Sequence, residues 1–274
     1  MCSSDLNASP AVGSSLAGLL LKLAGPGWCY LVDGLSWFGM IATLLSLRAS
    51  LHSERRSSVS LGALGEGIAF VRSQRVVLSF MALDFGATFF GTANSLLPIY
   101  ARDILQVGPT GLGLMTAAPS VGQVTTGFVM GSTGRVRRAG RWVLIGVTVY
   151  AVCICAFALS PFFPLSLAML VGTGVGNGIS AVLRSTSNNL LTPDHLRGRV
   201  AAVNSVFTGG GPQLGQFEAG MVAEAFGTVF SACSGGAAVL VLVAAIALVP
   251  EVRRFDLTAA IRALSEPPPA RPGT

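Results

Sequence analysis

The sequence encodes an all-α membrane protein, a polytopic helical bundle. Of its 274 residues, 51% are apolar and only 11% are charged. A soluble domain carries about a quarter charged residues, so this chain cannot cover a globule with polar surface. Its mean hydropathy of +0.67 makes lipid the natural solvent. Apolar stretches close to the ~20 residues that cross a hydrocarbon core recur along the chain between polar links.

The formal net charge is +6, and its distribution says what it is for. Arg48, Arg55, Arg56, Arg72 and Arg75 fall in one link, and Arg135, Arg137, Arg138 and Arg141 in another. Arg197 and Arg199 fall in a third, and Arg253, Arg254, Arg262 and Arg271 in the tail. These are alternate links, the positive-inside pattern of cytoplasmic loops. The bias therefore sets topology and is no nucleic-acid footprint. The five cysteines have no metal-ligand spacing, and His52 and His195 both lie in predicted cytoplasmic links. A membrane metal site, a Ser/His/Asp triad and a phosphate-binding loop are all without the residues they need. The sequence thus predicts no enzyme and no cofactor.

The elements follow in order. Residues 1–7 match nothing after them and lack the pattern of a signal peptide, so they read as an unstructured start. Residues 8–24 and 28–47 form two spans, 8–49 with their margins. The turn Gly25-Pro26-Gly27 makes them antiparallel, and Trp28, Tyr30 and Trp37 are interfacial anchors. Residues 50–75 are a cytoplasmic linker in which Leu61, Leu64, Ile68 and Val71 have helical spacing, an amphipathic surface helix. Six further spans are expected at 76–100, 110–130, 142–159, 165–191, 200–226 and 229–249, a bundle over 76–250. The tail, 251–274, is polar and ends past Pro267-Pro268-Pro269. About eight spans put both ends on one side, and the basic links make that side cytoplasmic.

Ionisable groups inside such spans are costly, so each is a candidate for function. Asp84 lies about 13 Å along its helix from the cytoplasmic end. It either faces a central cavity, binding protons or a cationic group, or anchors a neighbouring helix. Glu218 follows Gly209-Gly210-Gly211-Pro212, a run expected to break the seventh span. Arg184 stands some two turns before the hinge at 192–199. It either snorkels to the interface or pairs with an acid or an anionic substrate. Asn94 and Gln213 join Asn177, Asn188 and Gln123 as polar groups within helices. In the hinge, Pro193, Asp194, Arg197, Gly198 and Arg199 tie helix ends together or set topology. Asp84→Asn and Glu218→Gln keep size and remove charge, so on sequence alone both should fold and insert normally.

The hinge, LTPDHLRGRV over 191–200, resembles the cytoplasmic link between helices ten and eleven of major facilitator superfamily transporters. It is most similar to the bacterial branch of siderophore exporters and transmembrane secretion effectors. LLPIYA at 96–101 and GPQLG at 211–215, followed by Glu218, fit the same branch. The resemblance covers roughly 8–255. It implies twelve spans in two six-helix halves, so the chain would start in helix five, an N-terminally truncated protein. Gly131-Ser132-Thr133-Gly134-Arg135 resembles the family's loop motif between helices eight and nine. Ser9-Pro10-Ala11-Val12-Gly13 resembles the tail of the helix-five antiporter motif, with Ser9 and Ser14 where glycines are usual. The resemblance implies proton-coupled export of a small amphipathic molecule by alternating access, in a bacterial inner membrane. Its partners are then lipid, a small-molecule substrate and protons. The alternative expectation is a fragment without transport activity, at most a membrane-embedded interaction partner that lacks its N-terminal half.

Overall fold

A computed structural model describes residues 25–46, 61–91, 93–133, 137–193 and 195–259. The expected first span, the start at 1–7, linker residues 47–60, Asp194 and the tail beyond 259 lie outside the described residues. Every regular element among the described residues is helical.

Helix α1 (Pro26–Ser46) presents large apolar side chains outward, Trp28, Leu35, Trp37 and Phe38 among them. Helix α2 (Leu61–Ser73) is the linker helix that the spacing predicts. Helix α3 (Arg75–Phe90) pauses at Gly91, and α4 (Ala93–Ile99) carries on into a π-helical turn, Tyr100–Ile104. The expected single span is thus one path with an interruption. There follow α5 (Gly108–Thr133), α6 (Ala139–Leu159), α7 (Phe163–Leu191), α8 (Arg197–Phe226), α9 (Thr228–Ala247) and the short α10 (Pro250–Arg254).

Four paths of the described residues are long and apolar enough to cross a bilayer: Arg75–Ile104, Ala139–Leu159, Phe163–Leu191 and Thr228–Ala247. The sequence predicts about eight spans. Helices α5 and α8 have the length, at 26 and 30 residues, but glycine, threonine and amide side chains dilute their apolar content. Such helices belong inside a bundle, where small residues let backbones approach.

The packing order explains the glycines. Helix α7 lies against α5 and α6, α9 against α6, α3 and α8, and α2 against α8. A Cβ on Gly146 of α6 would stand 2.7 Å from the Gly176 carbonyl oxygen of α7. Only hydrogen fits where these two backbones touch. One core cluster holds Phe80, Leu83, Val143, Val147 and Val239, and the Phe80 ring meets Phe255 edge-on at 6.1 Å. A second holds Leu97, Tyr100, Met115 and Phe157, with the Tyr100 hydroxyl donating to the Ala158 carbonyl at 3.1 Å. A third, Val71, Val77, Met81 and Val200, fixes the linker helix to the starts of α3 and α8.

The run at 209–212 does not break α8, which continues through Pro212. Gly211 and Gly215 explain why. A Cβ on Gly211 would sit 2.9 Å from the Thr88 hydroxyl, and one on Gly215 would overlap the Phe89 carbonyl oxygen. In water these residues signal a turn. In a bundle they form the flat face on which α3 seats, and an intact helix keeps its backbone groups paired away from lipid.

Candidate functional site

Three elements, α3, α7 and α8, enclose a cavity of about 330 Å³ near the hinge. Asp84 reaches it from α3 and Arg184 from α7. Arg184 Nη2 meets Asp84 Oδ1 at 2.6 Å. The arginine side chain is 8% exposed and the aspartate 20%. Arg184 therefore pairs with an acid and does not snorkel. The physical reason is distance: about two turns from the helix end, the side chain finds a carboxylate sooner than water.

The rest of the lining mixes neutral polar groups, Thr88, Asn177, Ser185, Asn188, Asn189 and Asn204 among them, with the apolar side chains of Phe80, Met81, Ala181, Val200 and Ala201. Arg197, at the start of α8, also lines it. Among the described residues the charged groups of the lining are Arg184, Arg197 and Asp84. Arg184 Nη1 and Asn188 Oδ1, both on residues of this lining, are buried and have no hydrogen-bond partner among the described residues. Buried polar atoms are nearly always paired, so these two, one turn apart on α7, mark a place built for something else.

Deeper in the bundle lies a second cavity of about 200 Å³, lined by Asn94, Gln123, Tyr150, Asn177, Thr88 and Gln216 among others. Thr88 and Asn177 line both cavities. The two cavities therefore adjoin, along a path from the hinge end past Asp84 to the interruption at Gly91. The Tyr150 hydroxyl donates to the Gly91 carbonyl at 2.8 Å, which satisfies a backbone group that the helix pause frees.

Of the residues singled out by sequence, the structure brings Asp84, Arg184, Arg197 and Asn94 onto this path. Glu218 is half-buried and Gln213 exposed on α8, and both lie off both cavities. Pro193 is exposed and accepts at its carbonyl from the Leu196 amide at 2.9 Å, a tight turn between α7 and α8. Gly198 stands in open space. Arg199 donates to Glu66 of α2, so the hinge is tied to the linker helix. Tyr150, Thr88, Asn204 and Gln216 are site residues that sequence reasoning missed. Thr88 and Asn204 carried a signal, as polar residues at helical spacing from a charge, 84 and 88 on α3 and 197 and 204 on α8.

The profile of the transmembrane secretion effectors, a branch of the major facilitator transporters, matches residues 1–271. The chain belongs to this family. Among curated relatives it is similar to the enterobactin exporters EntS of Escherichia coli O1:K1, Shigella boydii serotype 18 and Escherichia fergusonii. Each is 26% identical over 251 residues, which cover 91% of this chain and 59% of the relative. The chain thus spans about three-fifths of the length of those relatives. The family is one of multi-pass membrane transporters and not of enzymes, and the apolar helices agree with it.

Proposed function

We propose that this protein exports a small amphipathic molecule across the bacterial inner membrane by alternating access, coupled to protons at Asp84. The observation that carries the reading is the Asp84–Arg184 pair inside a cavity between packed helices. Ionised Asp84 clasps α3 to α7. A proton on Asp84 removes the attraction and leaves Arg184 buried without its counter-charge, which favours a state in which the helices part. Binding a proton thereby shifts the balance between two arrangements of the bundle. The charged and titratable groups around the pair are Arg197 from α8 and Tyr150 from α6. The names of the relatives support the outward direction.

The test uses the full-length protein in proteoliposomes with an imposed pH gradient. The double variant Asp84→Asn with Arg184→Gln removes both charges of the pair together and so protects folding. It is expected to lose proton-driven flux while still folding, as thermal unfolding reads it. Wild-type proton-driven flux in the double variant would remove Asp84 from the coupling role.

A further inference from the structure

We propose that the cavity between α3, α7 and α8 is an oxyanion site, and that the transported molecule carries a carboxylate or similar group that docks on Arg184. The proposal deepens the transport reading of this cavity and rests on it.

The guanidinium presents a planar fork of five N–H donors. Its Nη2 edge is held by Asp84 at 2.6 Å. Its Nη1 is buried and has no hydrogen-bond partner among the described residues, on a side chain more than nine-tenths buried. A buried charged donor without an acceptor is expensive, and an oxyanion is the acceptor that suits this geometry, because guanidinium and carboxylate match as paired forks. Asp84 fixes the plane of the fork and so aims Nη1. One turn further, Asn188 Oδ1 also lacks a donor. It lies in the same lining and fits a hydroxyl or amide placed next to the anionic group.

A cation would find the carboxylate of Asp84 already engaged by Arg184, whereas an oxyanion meets the open Nη1 edge of the guanidinium. The volume of about 330 Å³ lies within the roughly 300–1,000 Å³ of small-molecule sites. Thr88 and Asn177, shared with the deeper cavity, leave room for the neutral remainder of the molecule to extend along the path.

The test places the whole chain in lipid nanodiscs and titrates three fluorinated probes of one shape, read by fluorine magnetic resonance: 4-fluorobenzoate, 4-fluorobenzyl alcohol and 4-fluorobenzylamine. The benzoate is expected to bind saturably, with the alcohol and the amine at least about tenfold weaker, the loss when a buried guanidinium has no charged acceptor. Arg184→Gln with Asp84→Asn should abolish the preference. Asn188→Ala, which leaves the ion pair in place, should leave benzoate binding within about twofold, because benzoate offers Asn188 Oδ1 no donor. Equal binding of benzoate and alcohol, or a preference that survives in the double variant, overturns the proposal. Benzoate selectivity without any proton-driven flux keeps the oxyanion site and removes the transport reading. Flux that is indifferent to an anionic group on the substrate does the reverse.

Discussion

The side chains of Asp84 and Arg184 stabilise each other, and each is a liability alone. Taking two charges out of water costs several kcal/mol per ion, which their mutual attraction repays only while both are present. Asp84→Asn is thus not the neutral swap that size conservation suggests. It strands a guanidinium that is 8% exposed. The expected loss is about 3–5 kcal/mol for either single variant, Asp84→Asn or Arg184→Gln, with most of it recovered in the double. Thermal unfolding in detergent across the cycle measures this. Additive losses would mean the two charges are not coupled. Glu218→Gln, at a half-buried residue off both cavities, should stay within about 0.5 kcal/mol. The sequence showed both charges of the pair, because any ionisable group in an apolar run stands out. Their pairing was not legible, since it depends on the rotation of two helices far apart in the chain.

Helices are the best-read level of this protein. The predicted spans at 142–159 and 165–191 sit within Ala139–Leu159 and Phe163–Leu191, because apolar runs bounded by Pro and basic residues leave little choice. The glycine run in α8 was misread, because sequence does not say whether a glycine faces a turn or a neighbour. The two kinds coexist within seven residues. Gly215 meets the Phe89 carbonyl, while Gly209 has nothing within 4 Å. Gly215→Ala should therefore push α8 off α3 and cost about 1–3 kcal/mol, as overpacking does. Gly209→Ala should be neutral or stabilise by up to ~1 kcal/mol, since Gly is the poorer helix former. Urea titration of helicity in mixed micelles separates them. Equal losses at the two positions would show that the α3–α8 seat is not as close as the structure has it. The linker helix α2 belongs to the same level: Glu66 binds Arg199, and Gly67 lets it lie 3.1 Å, at its missing Cβ, from the Arg199 carbonyl.

At the scale of the whole molecule, the links that are basic in sequence come together at one end of the bundle. Arg75 of α3 pairs with Glu251 of α10 at 2.7 Å. The Gly140 amide, beside Arg141, donates to the Phe255 carbonyl at 3.4 Å. Arg199 holds Glu66. The tail, the 137–141 link, the hinge and the linker helix thus share one face, while Arg102 with Asp103 lies in the link between the π-helical turn and α5. By the positive-inside rule we propose that this basic face is the cytoplasmic one. The orientation is tested with single cysteines in a chain whose five native cysteines are replaced. Ala139 is fully buried and would report nothing, so the probes are His195→Cys and Arg138→Cys on the basic face and Pro161→Cys at the opposite end, all three positions exposed. In intact cells an impermeant maleimide should label Pro161→Cys and spare the other two, and all three should react once the membrane is permeabilised. Labelling of His195→Cys and Arg138→Cys in intact cells, with Pro161→Cys protected, would invert the protein and place the mouth of the Asp84–Arg184 cavity on the outside.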